Sequence, residues 1–231
     1  MKLKMLSLLF AVGALVSACS DDDDNGTGPE NSGRVRVVHL SPDAPNVDVL
    51  VDDVVVANNV PYLAASEYLD VDAGSRTVLI RATGGTATVL QENITVADGG
   101  DYTVLVGDEL ANITLDALED DNSAPGAGNA RVRLIHGAPG APAVDIYVTA
   151  PGADLALETP VLTDIGFGAV SPYLEVPAGD YQVRVTPAGT LDVVIDSGTL
   201  GLSSGQVRTG IAVDAPGGGA PFDAVLLEDV N

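Results

Sequence analysis

Tryptophan is absent from this 231-residue chain, cysteine occurs once, and the only two lysines stand at positions 2 and 4. Each gap removes a class of chemistry. A lone cysteine, Cys19, leaves no internal disulfide to form. Without lysine beyond residue 4 there is neither a Schiff-base lysine nor a phosphate-loop lysine. No His-Glu-x-x-His zinc helix appears. Histidine occurs twice, as His39 and His136. With three Phe and six Tyr, any core must be built mainly from Val, Ile, Leu and Ala. After residue 18 no apolar run approaches the roughly 20 residues needed to span a bilayer.

What is present begins with an export signal. Lys2 and Lys4 form a positive start, and an apolar run from Leu6 to Val16 follows it. That pattern marks a secretory signal peptide, here residues 1–18. Val16-Ser17-Ala18-Cys19 resembles the bacterial lipobox, in which cleavage precedes a diacylglyceryl-modified cysteine; an ordinary signal beside a stray cysteine is the weaker alternative. The expectation is a lipoprotein held to a membrane through lipid on Cys19, since two or three acyl chains anchor stably where one is marginal. Residues 19–33 (Asp21 to Asp24, then Gly, Pro, Asn and Ser) are too polar to bury surface and are expected to form a disordered tether. Ser20 at the position after the cysteine favours the outer membrane. The aspartates fit either a surface-export signal or a solvated spacer.

Beyond residue 18 the chain carries eight arginines against 33 acids, a formal charge of −25. Such a surface repels phosphate backbones, so nucleic acid is excluded as a partner. An acidic, lysine-free surface is also what keeps a protein soluble in concentrated salt. A cation-rich interaction surface is the other reading.

The segment Arg34 to Val51 recurs as Arg131 to Val148, identical at ten of eighteen positions. After an eight-residue insertion in the second copy, Ser66, Tyr68, Leu69, Val71 and Gly74 answer Ser171, Tyr173, Leu174, Val176 and Gly179. Leu118-Glu119-Asp120 answers Leu227-Glu228-Asp229. A period near 100 residues is a domain duplication, giving domains at 34–120 and 131–231 and a polar linker at 121–130. Within each copy apolar residues alternate, as in half-buried strands: Val35, Val37 and His39 against Arg34, Arg36 and Val38. Asp52-Asp53, Ala73-Gly74, Gly99-Gly100 and Pro177 to Asp180 mark turns. Seven or eight short strands per copy predict an all-β chain of two tandem immunoglobulin-like β-sandwich domains.

The most specific motif is His39-x-Ser-Pro-Asp-Ala-Pro-x-Val-Asp48, answered by His136-x-Ala-Pro-Gly-Ala-Pro-x-Val-Asp145. With the Arg-Val-x-aliphatic-aliphatic-His strand and the Tyr-Leu-x-Val-x-Ala-Gly hairpin, it resembles the bacterial family catalogued as domain of unknown function 4397. The resemblance covers roughly residues 34–231. It implies an exported β-sandwich module and supplies no activity.

The residues themselves allow two readings of the motif. His39 with Asp43 or Asp48 has the composition of a metal ligand set or a general base. The favoured reading is structural: imidazoles bonded to loop backbone, with Asp48 and Asp145 capping the proline crossover or pairing an arginine. Gly140 and Ala138 replace Asp43 and Ser41 in copy two, so a site built on those residues fails there.

The expected function is therefore a non-catalytic, membrane-anchored surface or cell-envelope module that contacts an envelope protein or glycan, with no cofactor implied. A carbohydrate-binding protein using Tyr62 or Tyr147 is the alternative. A calcium protein is another, using Asp70 with Asp72, Asp98 with Asp101, or Glu119, Asp120 and Asp121. A hydrolase with a carboxylate pair ranks lowest. If the acidity is an adaptation to salt, the thermal unfolding midpoint climbs steeply as sodium chloride is raised to molar levels. A flat response would contradict that adaptation.

Overall fold

The computed structural model describes residues 31–229; the signal peptide, Cys19 and most of the expected tether lie outside them. The described chain is all-β, with eight strands from each copy and two three-residue 3₁₀ turns. Copy one supplies β1 (Ser32–His39), β2 (Val47–Val51), β3 (Val54–Val60), β4 (Leu69–Asp72), β5 (Gly74–Ala82), β6 (Thr88–Val96), β7 (Asp101–Gly107) and β8 (Thr114–Glu119). They form two four-stranded sheets, β4-β1-β7-β8 and β3-β2-β5-β6. Copy two supplies β9 (Asn129–His136), β10 (Val144–Thr149), β11 (Leu162–Ile165), β12 (Leu174–Pro177), β13 (Gly179–Pro187), β14 (Ile195–Leu202), β15 (Val207–Val213) and β16 (Asp223–Glu228). Their order, β12-β9-β15-β16 and β11-β10-β13-β14, repeats the first topology strand for strand. Among the described residues no helix is long and apolar enough to cross a membrane.

Local sequence sets the corners. Asp52 and Asp53 both take positive φ, 47° and 66°, as the two central residues of a type I′ hairpin must. Copy two replaces that two-residue turn with residues 150–161, which carry the 3₁₀ turn Leu155–Leu157; the insertion therefore lengthens the β10–β11 connection. The expected tether also ends sooner than residue 33. Ser32 and Gly33 already pair with Asp72 and Val71. Gly33 serves packing there: a Cβ would stand 2.6–2.8 Å from Val96 and the carbonyls of Ala97 and Gly100. Likewise β9 starts inside the expected linker, with Asn129 and Ala130 opposite Pro177 and Val176.

Inward faces follow the alternation. Val35 and Val37 of β1, Val49 and Val51 of β2, Val78 and Ile80 of β5, and Val104 and Val106 of β7 share one buried aliphatic cluster. Copy two builds a smaller cluster around Leu134, Val144, Ile146, Val185 and Ile195. The opposite faces of β1 and β7 are buried too. Val38, Leu40 and Leu105 pack against Ile135, Ile211, Val213 and Leu227 of copy two. The sheets β4-β1-β7-β8 and β12-β9-β15-β16 thus meet face to face, and the two sandwiches stack into four layers. Each such side chain contributes about 1.5–3 kcal/mol by leaving water.

One side of this seam is ionic. Arg36 of copy one donates to Asp229 Oδ1 of copy two at 2.6 Å, and Arg133 of copy two donates to Asp120 Oδ1 of copy one at 2.6 Å. All four side chains are at most 4% exposed. Thr103 and Thr209 each accept from the arginine of their own copy and donate to its terminal aspartate. Arg36 lies over the Tyr68 ring and Arg133 over the Tyr173 ring, both at 4.8 Å. The carbonyls of Glu228 and Glu119 accept a further bond from the opposite copy's arginine. Each copy therefore ends in an acid that neutralises the other copy.

Removing one member of a buried pair strands its partner at a cost of about 3–5 kcal/mol. Asp120→Asn and Asp229→Asn are each expected to lose stability on that scale in urea unfolding. Asp120→Asn loses more, because Asp120 also accepts from Tyr68. Arg36→Met combined with Asp229→Leu should recover most of the loss of Asp229→Asn alone.

Candidate functional site

The His-Pro-Ala-Pro-Val-Asp motif joins β1 to β2 and β9 to β10. Both histidines end a strand on its inward side and are fully buried. His39 Nδ1 lies 3.1 Å from the Val60 carbonyl, and His136 Nε2 lies 3.1 Å from the Pro142 carbonyl. A carbonyl only accepts, so those nitrogens carry the protons. His136 Nδ1 accepts from the Ala138 amide. The Tyr62 ring stands edge-on to His39 at 6.2 Å. Neither imidazole is hydrogen-bonded to a carboxylate. Burial pulls the His39 pKa below the ordinary imidazole value, against the carbonyls of Val60 and Pro61, which raise it.

The motif aspartates hold turns. Asp48 accepts from the Asn59 amide, the Thr83 hydroxyl and the Gly84 amide. Asp145 accepts from the Asp164 and Gly189 amides, at 2.8 and 2.9 Å. Asn59 and Asp164 have φ of 54° and 52°, Gly84 and Gly189 of 75° and 73°. One carboxylate thus fixes two left-handed corners in each copy. The Asn59 amide leads the groups that lower the Asp48 pKa.

Asp43 and Gly140 solve one problem in opposite directions. Asp43 Oδ1 accepts from the Leu110 amide at 2.7 Å, tying its loop to the loop after β7. In copy two the acid sits on the other loop: Asp214 Oδ2 accepts from the Gly140 amide at 2.9 Å. A Cβ on Gly140 would stand 2.8 Å from that carboxylate and from Gly219, which requires glycine there. Asp214 also reaches across the seam. Its carbonyl accepts from the Tyr62 hydroxyl at 2.7 Å, and the Gly217 amide donates to the Pro42 carbonyl. Burial, with Asp214 beside it, pushes the Tyr62 phenol up to about 12.

The proposed carbohydrate platforms are therefore not open rings. Tyr147 is 5% exposed, and Tyr62 is engaged with Asp214 in the seam. Of the acids that could serve calcium, Asp101, Asp120 and Asp121 are already engaged. Asp101 chelates Arg34 through two bonds of 2.7 Å and accepts from Asn122. Asp121 holds Ser123 and Arg131, and Asp120 holds Arg133. Arg34, Asp101, Asp120, Asp121, Asn122 and Ser123 line a shallow recess of about 680 Å³ beside the seam. Among the described residues no three His, Cys, Asp or Glu side chains gather as metal ligands would.

The sequence reading missed Arg36, Arg133, Thr103, Thr209 and Asp214. The recurrent Leu-Glu-Asp at the end of each copy was the available signal for the first four. Ser66 and Ser171 have a shared role as well: each hydroxyl accepts from a strand amide, Val37 or Leu134, at 3.0 and 2.9 Å.

Because His39 resists protonation when folded, the unfolded chain takes up the proton first. Stability is then lost as pH falls below about 6.5, until the depressed folded pKa is reached. The aspartates act lower, below about pH 4. His39→Asn keeps an N–H for Val60 and does not titrate. Its urea midpoint should fall less between pH 6.5 and 5 than that of the unaltered chain. An equal fall would assign the acid sensitivity elsewhere.

Comparison with curated proteins finds no match. Among solved structures, the Bacillus anthracis TIE protein overlaps 78% of this chain and 33% of its own, at 11% identity and a TM-score of 0.25. Family 41 carbohydrate-binding modules from streptococcal virulence factors, described for alpha-glucan recognition, overlap 83% of this chain and 96% of their own, at 13% identity and a TM-score of 0.28. Overlaps this loose carry no argument about a ligand. A family model matches twice, over residues 33–147 and 148–231, with its break inside β10. The chain belongs to that family, the domain of unknown function DUF4397.

Proposed function

We propose that this chain is a lipid-anchored envelope protein whose paired sandwiches form one rigid, non-catalytic contact module. The observation that carries the reading is where the chemically versatile residues go. Both imidazoles, Asp48, Asp145 and the Arg–Asp cluster are committed to holding loops, corners and the seam. Apolar side chains meanwhile stand in solvent at loop tips. Val54 and Val55, beside the Asp52-Asp53 turn, are 65% and 52% exposed, and Leu157 on the copy-two insertion is 84% exposed. Exposed apolar groups on a rigid scaffold suit contact with another surface. Lipid on Cys19 would place that scaffold at a membrane, with Ser20 favouring the outer one.

Two measurements test this. Radiolabelled palmitate should be incorporated by the full-length protein and lost in Cys19→Ala; label retained in that variant would refute the anchor. A photo-crosslinker at position 54 or 157 of the lipidated protein, activated in native envelopes, should trap a discrete species. Asp at the neighbouring Val55 should abolish the adduct at 54. Trapping of lipoprotein-processing enzymes alone would refute the contact reading.

A further inference from the structure

The two sandwiches differ inside. The pairing of β1 with β7 sets Val35, Val37 and His39 opposite Tyr102, Val104 and Val106. The equivalent pairing of β9 with β15 sets Val132, Leu134 and His136 opposite Arg208, Gly210 and Ala212. Tyr, Val and Val on one inward face have become Arg, Gly and Ala on the other. In copy one those three side chains are buried in the core cluster. In copy two their place is a cavity of about 230 Å³ between the sheets. Its walls include Leu134, Ile146, Val185, Ile195 and Leu202, each less than 9% exposed. Nothing crowds the glycine except one flexible neighbour: a Cβ on Gly210 would meet only Leu134 Cδ2, at 3.3 Å.

We propose that copy two holds a ligand site inside its sandwich, for a small uncharged alkyl or aryl group entering between β14 and β16. This goes beyond the contact module and does not depend on it. An apolar cavity near 150 Å³ stays dry and accepts benzene, so this one has room for roughly eight to ten carbons. Dry walls lack partner atoms on one side, and an apolar guest restores those contacts. The mouth selects against anions. Asp196 and Asp223 line it, and the Arg208 guanidinium there is already paired with Glu228. Copy one, filled by Tyr102, Val104 and Val106, is the internal control.

The test uses the whole exported chain, methyl-labelled for NMR, with n-butylbenzene, 1-octanol and octanoate as probes. Saturable shifts are expected at Leu134, Ile146, Val185 and Ile195, with Val49 and Val104 of copy one unmoved. Octanoate should bind at least tenfold more weakly than octanol. Gly210→Val fills the cavity and should abolish the shifts. If that variant does not fold, Ala212→Val serves the same purpose from the next inward position. Absence of saturable shifts, equal shifts in both copies, or shifts that survive the filling variant would overturn the site. Octanoate binding as tightly as octanol would overturn the selection for uncharged groups.

Discussion

The exchange of acids between copies is the constraint on which the rest of the molecule depends. Arg36 and Arg133 stand on the central strands of two sheets that would each face water in an isolated sandwich. Burying two guanidinium groups is tolerable only where carboxylates meet them, and the carboxylates come from the far copy. The aliphatic seam of Val38, Leu40, Ile135 and Ile211 runs beside the ion pairs. Apolar burial supplies the attraction there, and the crossed pairs supply register. A slip of β1 or β9 by one residue within its own sheet would turn arginine towards the core and valine towards aspartate.

With the seam fixed, the remaining polar groups have positional tasks. Asp48 and Asp145 hold corners, Asp43 and Asp214 tie loops together, and Ser66 and Ser171 satisfy strand amides. Two structures of one design, read side by side, separate what the fold requires from what either copy can vary. Histidine, the motif aspartate and the proline pair persist. The Asp43 position becomes glycine in copy two, where Asp214 ties the same two loops from the opposite side.

Much of this was legible in the sequence, for definable reasons. Strand period, turn residues and duplication are local or repeated signals, and they gave seven or eight strands per copy where the structure has eight. The seam was not legible. Arg36 between two valines resembles the solvent face of a half-buried strand, because arginine is seldom buried. Only the pairing of that residue with an aspartate nearly 200 positions later reveals otherwise. Val38 and Leu40 carried a hint, since apolar residues on both faces of β1 imply layers on both sides. The cavity of copy two needed the strand pairing as well: Gly210 and Ala212 become informative once they are aligned with Val104 and Val106.

The clasp between Arg36 and Asp229 joins the first described strand, β1, to the segment just after β16. Mechanically, that makes the molecule a closed loop rather than two beads on a string. A pull at Ser32 acts along β1, which lies between β4 and β7, not at a sheet edge. Load would therefore shear two strand ladders together instead of unzipping them bond by bond. Through Arg36 the same load reaches copy two directly, bypassing residues 121–128. A pull at the start of β1 would thus load both sandwiches at once.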